Sequence, residues 1–243
     1  MNKHLATSVL AVVAVFIVVA SCGHGDNSRI LFVADSLSKA SPVEAVQFID
    51  SLTGGFPHFS RSEQMRINLL RAKSQNSAGV VFKSDSVMAD VVKYYDKHGT
   101  SADRMQAYYI LGSVYRDLND SPLALQYFQK AAEQADTASS DCDYHLLCRI
   151  YGQSANLFLE QETPYYALKE IELAERYAIK ANDTLSALIY YEQRANAYYL
   201  QNLHDSVIAV RERVCSLYMQ HGYICLSPPS RPPLCLWFGF SGE

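Results

Sequence analysis

Residues 105–138 read MQAYYILGSVYRDLNDSPLALQYFQKAAEQADTA. In the first half, Tyr108, Leu111, Tyr115 and Leu118 recur at steps of three and four residues. In the second half, Ala124, Tyr127, Phe128 and Ala131 fall at i, i+3, i+4 and i+7. That spacing places each set on one face of an α-helix. Asn119-Asp120 lies between the two sets and is too short for anything but a tight reversal, so the helices are expected to form an antiparallel hairpin. Ser121-Pro122 opens the second helix, the serine as cap and the proline where its fixed φ suits the first turn.

The same punctuation recurs along the chain. Three of the four prolines between Asp26 and Cys225 follow Ser or Thr, at Ser41-Pro42, Ser121-Pro122 and Thr163-Pro164. With Ser84 and Asp205 read as further caps, second helices start near 42, 85, 122, 164 and 205, in steps of 43, 37, 42 and 41 residues. Ser41 with Glu44 and Ser60 with Glu63 carry the capping-box pattern, and Gly99 reads as a stop just past a helix end. A period of about forty residues with two helices per unit predicts an all-α chain, an α-solenoid of about five hairpins. These fall near 29–53, 61–98, 102–135, 141–181 and 184–221. Gly54-Gly55 reads as a turn between hairpins. Gly79-Val80-Val81-Phe82 is the one strand-like run, and it lies in a connection.

In residues 105–138, Tyr108, Leu111, Gly112, Tyr115, Ala124, Phe128 and Ala131 resemble the tetratricopeptide repeat (TPR) pattern, in which small residues sit where two helices cross closely. Weaker copies carry Tyr151, Ala155, Phe158, Ala167 and Ala174, then Tyr191, Ala195, Tyr198, Val207 and Val214. The last copy departs from the pattern with Arg194 and Arg211 at normally apolar positions. The resemblance spans roughly residues 30–221 and implies a protein or peptide partner held in a groove lined by first helices. The matching positions are Gln106, Tyr109, Ser113, Arg116, Asn156, Glu192, Asn196 and Tyr199. The lysine of carboxylate-clamp repeats is replaced by Tyr109, Gly152 and Glu192, which argues against capture of a C-terminal carboxylate.

The chain has 243 residues, 49% of them hydrophobic and 19% charged, a composition that folds. Its net charge of -4 gives no electrostatic footprint for phosphate backbones, so nucleic acid is not an expected partner. At the N-terminus, Lys3 and His4 precede an apolar run from Leu5 to Ala20, short for a bilayer span and suited to a secretory signal. Val19-Ala20-Ser21-Cys22 resembles the lipobox of bacterial lipoproteins. The resemblance implies residues 1–21 as a signal peptide, Cys22 as the lipid attachment site and membrane contact through that lipid. An uncleaved anchor or an ordinary signal with a chance cysteine are the alternatives. Residues 22–28 form a polar tether before an array over 29–223, and Gly23 in place of Asp after the cysteine favours the outer membrane.

Beyond Cys22, Cys142, Cys148, Cys215, Cys225 and Cys235 are an odd set without metal-type spacing; Cys148 and Cys215 read as small buried apolar residues, with an incidental disulfide as the alternative. Phosphate loops, nucleophile elbows, zinc motifs and dinucleotide fingerprints are all absent from the sequence, which predicts no enzyme, no cofactor and no metal. Glu160 with Glu162, and Glu170 with Glu172, are two apart on helices and do not face each other.

The segment 224–243 breaks the pattern, holding Pro228, Pro229, Pro232 and Pro233 and the chain's one tryptophan, Trp237. Its composition fits an out-of-frame or premature ending, with a proline-rich recognition segment as the alternative. An array lacking a polar capping helix is expected to self-associate through its last hairpin. Two other functions are carried beside the scaffold reading: the extracytoplasmic part of a truncated signalling protein, and a glycan-binding lipoprotein.

Overall fold

The computed structural model describes residues 27–52 and 59–224, and every structural statement below concerns those residues. They fold into ten α-helices without strands, in two compact units that meet in sequence at Val80 and Val81. The expected signal peptide, Cys22 and the Gly54-Gly55 turn lie outside the described residues. So do Cys225, Cys235 and the rest of the tail. The last two residues of the expected tether, Asn27 and Ser28, are already helical.

The first unit contains α1 (Asn27–Ala40), α2 (Pro42–Leu52) and α3 (Arg61–Ser77). Ala34, Ile49, Leu52, Ile67 and Leu70 interlock at its centre, flanked by Ile30, Leu31 and Phe48. The capping box opening α3 is formed: the Ser60 hydroxyl accepts from the Glu63 amide, and the Ser60 amide donates to the Glu63 carboxylate at 2.8 Å. Asn27 of α1 donates to that carboxylate at 3.1 Å, and Arg71 of α3 grips Asp50 of α2 with Nε on Oδ1 at 2.6 Å. The expected hairpin over 61–98 is divided. Its first helix packs on α1 and α2, and its second joins the other unit.

The second unit runs α4 (Ser86–His98), α5 (Ser101–Asp117), α6 (Ser121–Glu133), α7 (Tyr144–Glu160), α8 (Pro164–Lys180), α9 (Thr184–Leu200) and α10 (His204–Gln220). Neighbours in sequence pack together throughout, and α5/α6, α7/α8 and α9/α10 are the hairpins expected from the sequence. Small residues permit the close crossings. A Cβ on Gly112 would lie 2.6 Å from Phe128 Cδ1 and 3.3 Å from the Ala124 carbonyl. Ala167, Ile171, Ala174 and Ala178 of α8 are fully buried against Cys148, Ala155, Ala187 and Tyr190.

One device ends helices repeatedly. Asn119, Glu162, Asn182 and Asn202 all have φ between 52° and 60°, and the next residue's amide reaches back to a carbonyl five residues earlier. These bonds are Asp120 to Tyr115, Thr163 to Phe158, Asp183 to Ala178 and Leu203 to Tyr198, at 2.9–3.0 Å. The left-handed residue reverses the chain and satisfies terminal carbonyls in the same step.

Several caps differ from expectation. Asp120, not Ser121, caps α6, its carboxylate accepting from the Leu123 amide at 3.1 Å. Asp85 precedes α4 in place of Ser84, and Asp205 lies inside the first turn of α10 behind Leu203. Gly99 is extended rather than left-handed (φ -89°, ψ 156°). It is small because a Cβ would lie 2.7 Å from the Tyr95 carbonyl oxygen, where Thr100 must at once begin the cap of α5. Thr100 forms a full capping box with Asp103.

Candidate partner-binding surface

The first helices of the hairpins, α5, α7 and α9, carry all eight groove positions expected from the sequence. Two of the eight are corrected by burial. Tyr109 is 5% exposed with its ring 5.9 Å from that of Phe128, and Ser113 is fully buried, its hydroxyl donating to the Tyr109 carbonyl. Both belong to the core: the Tyr109 ring packs beside Phe128 of α6, and Ser113 is enclosed one turn further along α5.

The other six are partly or well exposed, and four of them are tied into cross-helix bonds or ring contacts. Arg116 Nη1 donates to Gln153 Oε1 on α7 at 2.6 Å, while its Nε and Nη2 hold Asp117. One hairpin further on, Gln193 Nε2 of α9 donates to Asn156 Oδ1 of α7 at 3.3 Å, leaving Gln193 Oε1 buried with no partner. Glu192 accepts from the Tyr218 hydroxyl of α10 at 3.1 Å, and burial together with that carboxylate raises the phenol's pKa. Tyr199 is 46% exposed and meets His204 edge-on. Gln106 and Asn196 are half-buried.

Repeat register explains the pattern. Positions 40 residues apart in the last two hairpins are equivalent, as Ala155 with Ala195, and Ala167 with Val207, show by their shared burial. In that register Asn196 stands where Asn156 stands one repeat earlier, and Gln193 where Gln153 stands. The glutamines were missed in the sequence. Their forty-residue spacing was the available signal, but polar residues carry no weight in a search for apolar periodicity.

Tyrosines make unanticipated bonds at the other end. Tyr108 and Tyr115 of α5 donate to Asp96 at 2.6 Å and Asp85 at 2.9 Å, fastening α4 to α5, and burial first, then these carboxylates, pushes both phenols up to about 12. Tyr127 stacks on Tyr115 with ring centres 5.4 Å apart. Cys148 is a buried thiol, as expected, with burial pushing its pKa up to about 11 and its Sγ on the His145 carbonyl. Cys215 departs from expectation: it is in a disulfide.

A cavity of about 440 Å³ opens between α8, α9 and α10, lined by Glu175, Ile179, Leu188, Tyr191, Leu217 and His221 among others. Among the described residues, no three His, Cys, Asp or Glu side chains group as a metal site, and no helix is long and apolar enough to cross a membrane.

The fold matches solved TPR-like structures. The crystal structure of nearly identical TPR-like repeats from a kinesin light chain-like protein of Podosopora anserina superposes with a TM-score of 0.59 at 16% identity, covering 82% of this chain and 99% of that one. A second crystal structure of the same repeats gives 0.58 at 16% identity, covering 81% and 98%. The architecture is therefore a TPR-like helical repeat fold. No protein-family model and no curated protein matches the sequence.

Proposed function

We propose that the chain is a lipid-anchored scaffold of the bacterial cell envelope, without catalytic role, whose first-helix row binds an extended stretch of polypeptide. The observation that carries the binding reading is the run of Arg116, Gln153, Asn156, Gln193 and Asn196. Side-chain amides and a guanidinium recur there at half-buried positions of successive hairpins. Amides offer both a donor and an acceptor, which is what an extended peptide backbone requires, and the bonds between Arg116 and Gln153 and between Gln193 and Asn156 are of the kind a ligand can replace. The sequence around Cys22 supports the anchor, which would hold the array at a membrane surface and raise its effective concentration for partners there. The outer membrane is the favoured site, on the strength of Gly23.

The binding claim is tested with a displayed library of unstructured peptides. Enriched peptides should bind the wild type at least tenfold more tightly than the Asn156→Ala and Asn196→Ala variants. Equal binding to all three would place the site elsewhere. For the anchor, a radiolabelled fatty acid should mark the wild type in cells and not Cys22→Ala, and equal labelling would remove the anchor.

A further inference from the structure

The α7/α8 hairpin carries a row of aromatic rings that one carboxyl interrupts. Tyr144, Tyr151 and Phe158 recur every seven residues on one side of α7, and side chains of the antiparallel α8 enter between them. Tyr177 stacks between Tyr144 and Tyr151, with ring centres 6.0 and 5.5 Å away, and Tyr166 stacks on Phe158 at 5.5 Å. Glu170 lies between Tyr166 and Tyr177 along α8, so the antiparallel order brings it to the interval between Phe158 and Tyr151. Its charge is felt at Tyr151, whose phenol pKa is raised by burial first, then by Tyr177 and Glu170.

The neighbouring hairpins show what else this interval holds. Ala124, Phe128 and Ala131 take the fully buried places of Ala167, Ile171 and Ala174 forty-three residues earlier, which makes Tyr127 the equivalent of Glu170. The Tyr127 ring lies 6.1 Å from that of Tyr108 and 5.4 Å from that of Tyr115, the equivalents of Tyr151 and Phe158. Forty residues later the place belongs to Val210, buried against Tyr191 and Tyr198. A carboxyl therefore stands where one repeat puts a flat ring and another an apolar side chain. Among the described residues no hydrogen bond or ion pair reaches it, and burial alone pushes its pKa up to about 7.

We propose that Tyr151, Glu170 and Phe158 form a socket for an arginine side chain of a protein partner. Glutamate is shorter than tyrosine, so the outer part of the place that the Tyr127 ring fills is left to a visiting group. A guanidinium is flat like that ring, stacks on aromatic faces and meets a carboxylate with paired N–H donors. Rings beside the socket already carry cations: Lys180 Nζ lies 5.1 Å from the centre of Tyr144 and 5.7 Å from that of Tyr177, and Lys169 Nζ 4.4 Å from that of Tyr165. Tyr151 and Phe158 face away from Gln153 and Asn156 on α7, so the socket is separate from the first-helix row and its test stands whether or not that row binds peptide.

The full chain, with isotope-labelled Tyr and Phe rings, is titrated with N-acetyl-Gly-Arg-Gly-amide and followed by NMR. The Tyr151 and Phe158 ring signals should shift saturably, with an affinity about tenfold above that of the neutral citrulline peptide and several-fold above that of the lysine peptide. Glu170→Gln should remove the preference for arginine over citrulline, and so should Glu170→Val, which copies the next hairpin. Equal affinity for the arginine peptide and either of the others, a preference unchanged in both variants, or no saturable shift at Tyr151 and Phe158 overturns the proposal. Binding that appears only in Arg231→Ala, or only at dilutions where the chain ceases to dimerise, assigns the socket to the chain's own arginine or to a second copy and equally overturns it.

Discussion

Glu175 Oε2 and Arg194 Nη2 are 2.6 Å apart, joining the second helix of one hairpin to the first helix of the next with side chains only 19% and 24% exposed. The guanidinium also lies 5.2 Å over the Tyr191 ring, and its Nε is buried with no partner. Arginine at a normally apolar repeat position is therefore tolerated because a carboxylate from the preceding helix meets it. Glu175→Ala should cost about 2–3 kcal/mol by stranding that charge, whereas Glu175→Ala with Arg194→Met should return to within about 1 kcal/mol of wild type. Urea denaturation of the three proteins gives the comparison. A double variant as weak as the single one would mean that the ion pair matters for more than satisfying its own burial.

Gly112→Ala should destabilise the α5/α6 hairpin. The new methyl would lie 2.6 and 2.7 Å from two ring atoms of Phe128, which is itself fully buried. Alanine's better helix propensity offsets about 1 kcal/mol, against an overpacking cost of about 1–3 kcal/mol, so a net loss is expected on chemical denaturation. A more stable variant would show that Phe128 moves aside.

Glu162 is the exception among the left-handed stops, since the other three are asparagine. It is exposed at φ 52°, so Glu162→Asn should gain about 0.5 kcal/mol, and Asn182→Val should lose about 1–2 kcal/mol. Thermal melts of both variants check the opposite signs. A loss for Glu162→Asn would mean that the glutamate side chain contributes more than its backbone strain costs.

Glu170 on α8 has its pKa pushed up to about 7 by burial. A folded-state value above the unfolded one means that the neutral form suits the fold. The stability it contributes is complete below the ordinary carboxylate range near 4.5 and is lost as pH rises through about 7. Glu170→Gln keeps the side chain neutral at every pH. Relative to wild type it should therefore be more stable at pH 8 than at pH 5, by roughly 2 kcal/mol with partial solvation allowed for. Melting curves at the two pH values test this, and an unchanged difference would place the carboxylate in water.

Tyr108, Leu111, Gly112, Tyr115, Ala124 and Phe128 decided the helical hairpin from sequence alone, because apolar spacing and a close crossing are local properties that each repeat restates. The same regularity placed α5 to α10 within a few residues. The expected pairing of residues 61–98 divided because a helix has several apolar neighbours available, and only three-dimensional packing settled α3 on α1 and α2 and α4 on α5. Caps shifted for a related reason: at Asp120 and Ser121 two adjacent side chains could accept the orphan amide, and backbone direction selected the aspartate.

Groove residues were legible as repeat positions but not as exposed surface. Tyr109 and Ser113 share a helix with Arg116, yet tertiary packing buries the first two and leaves Arg116 partly exposed. Gln153 and Gln193 gained meaning only when neighbouring first helices brought Arg116 and Asn156 within hydrogen-bond reach. Sequence by itself determined the helices, their period and their small crossing residues, all of which follow from contacts within a few turns of chain. Tertiary structure alone decided which polar side chains meet across hairpins, since those meetings join residues 19 to 37 positions apart.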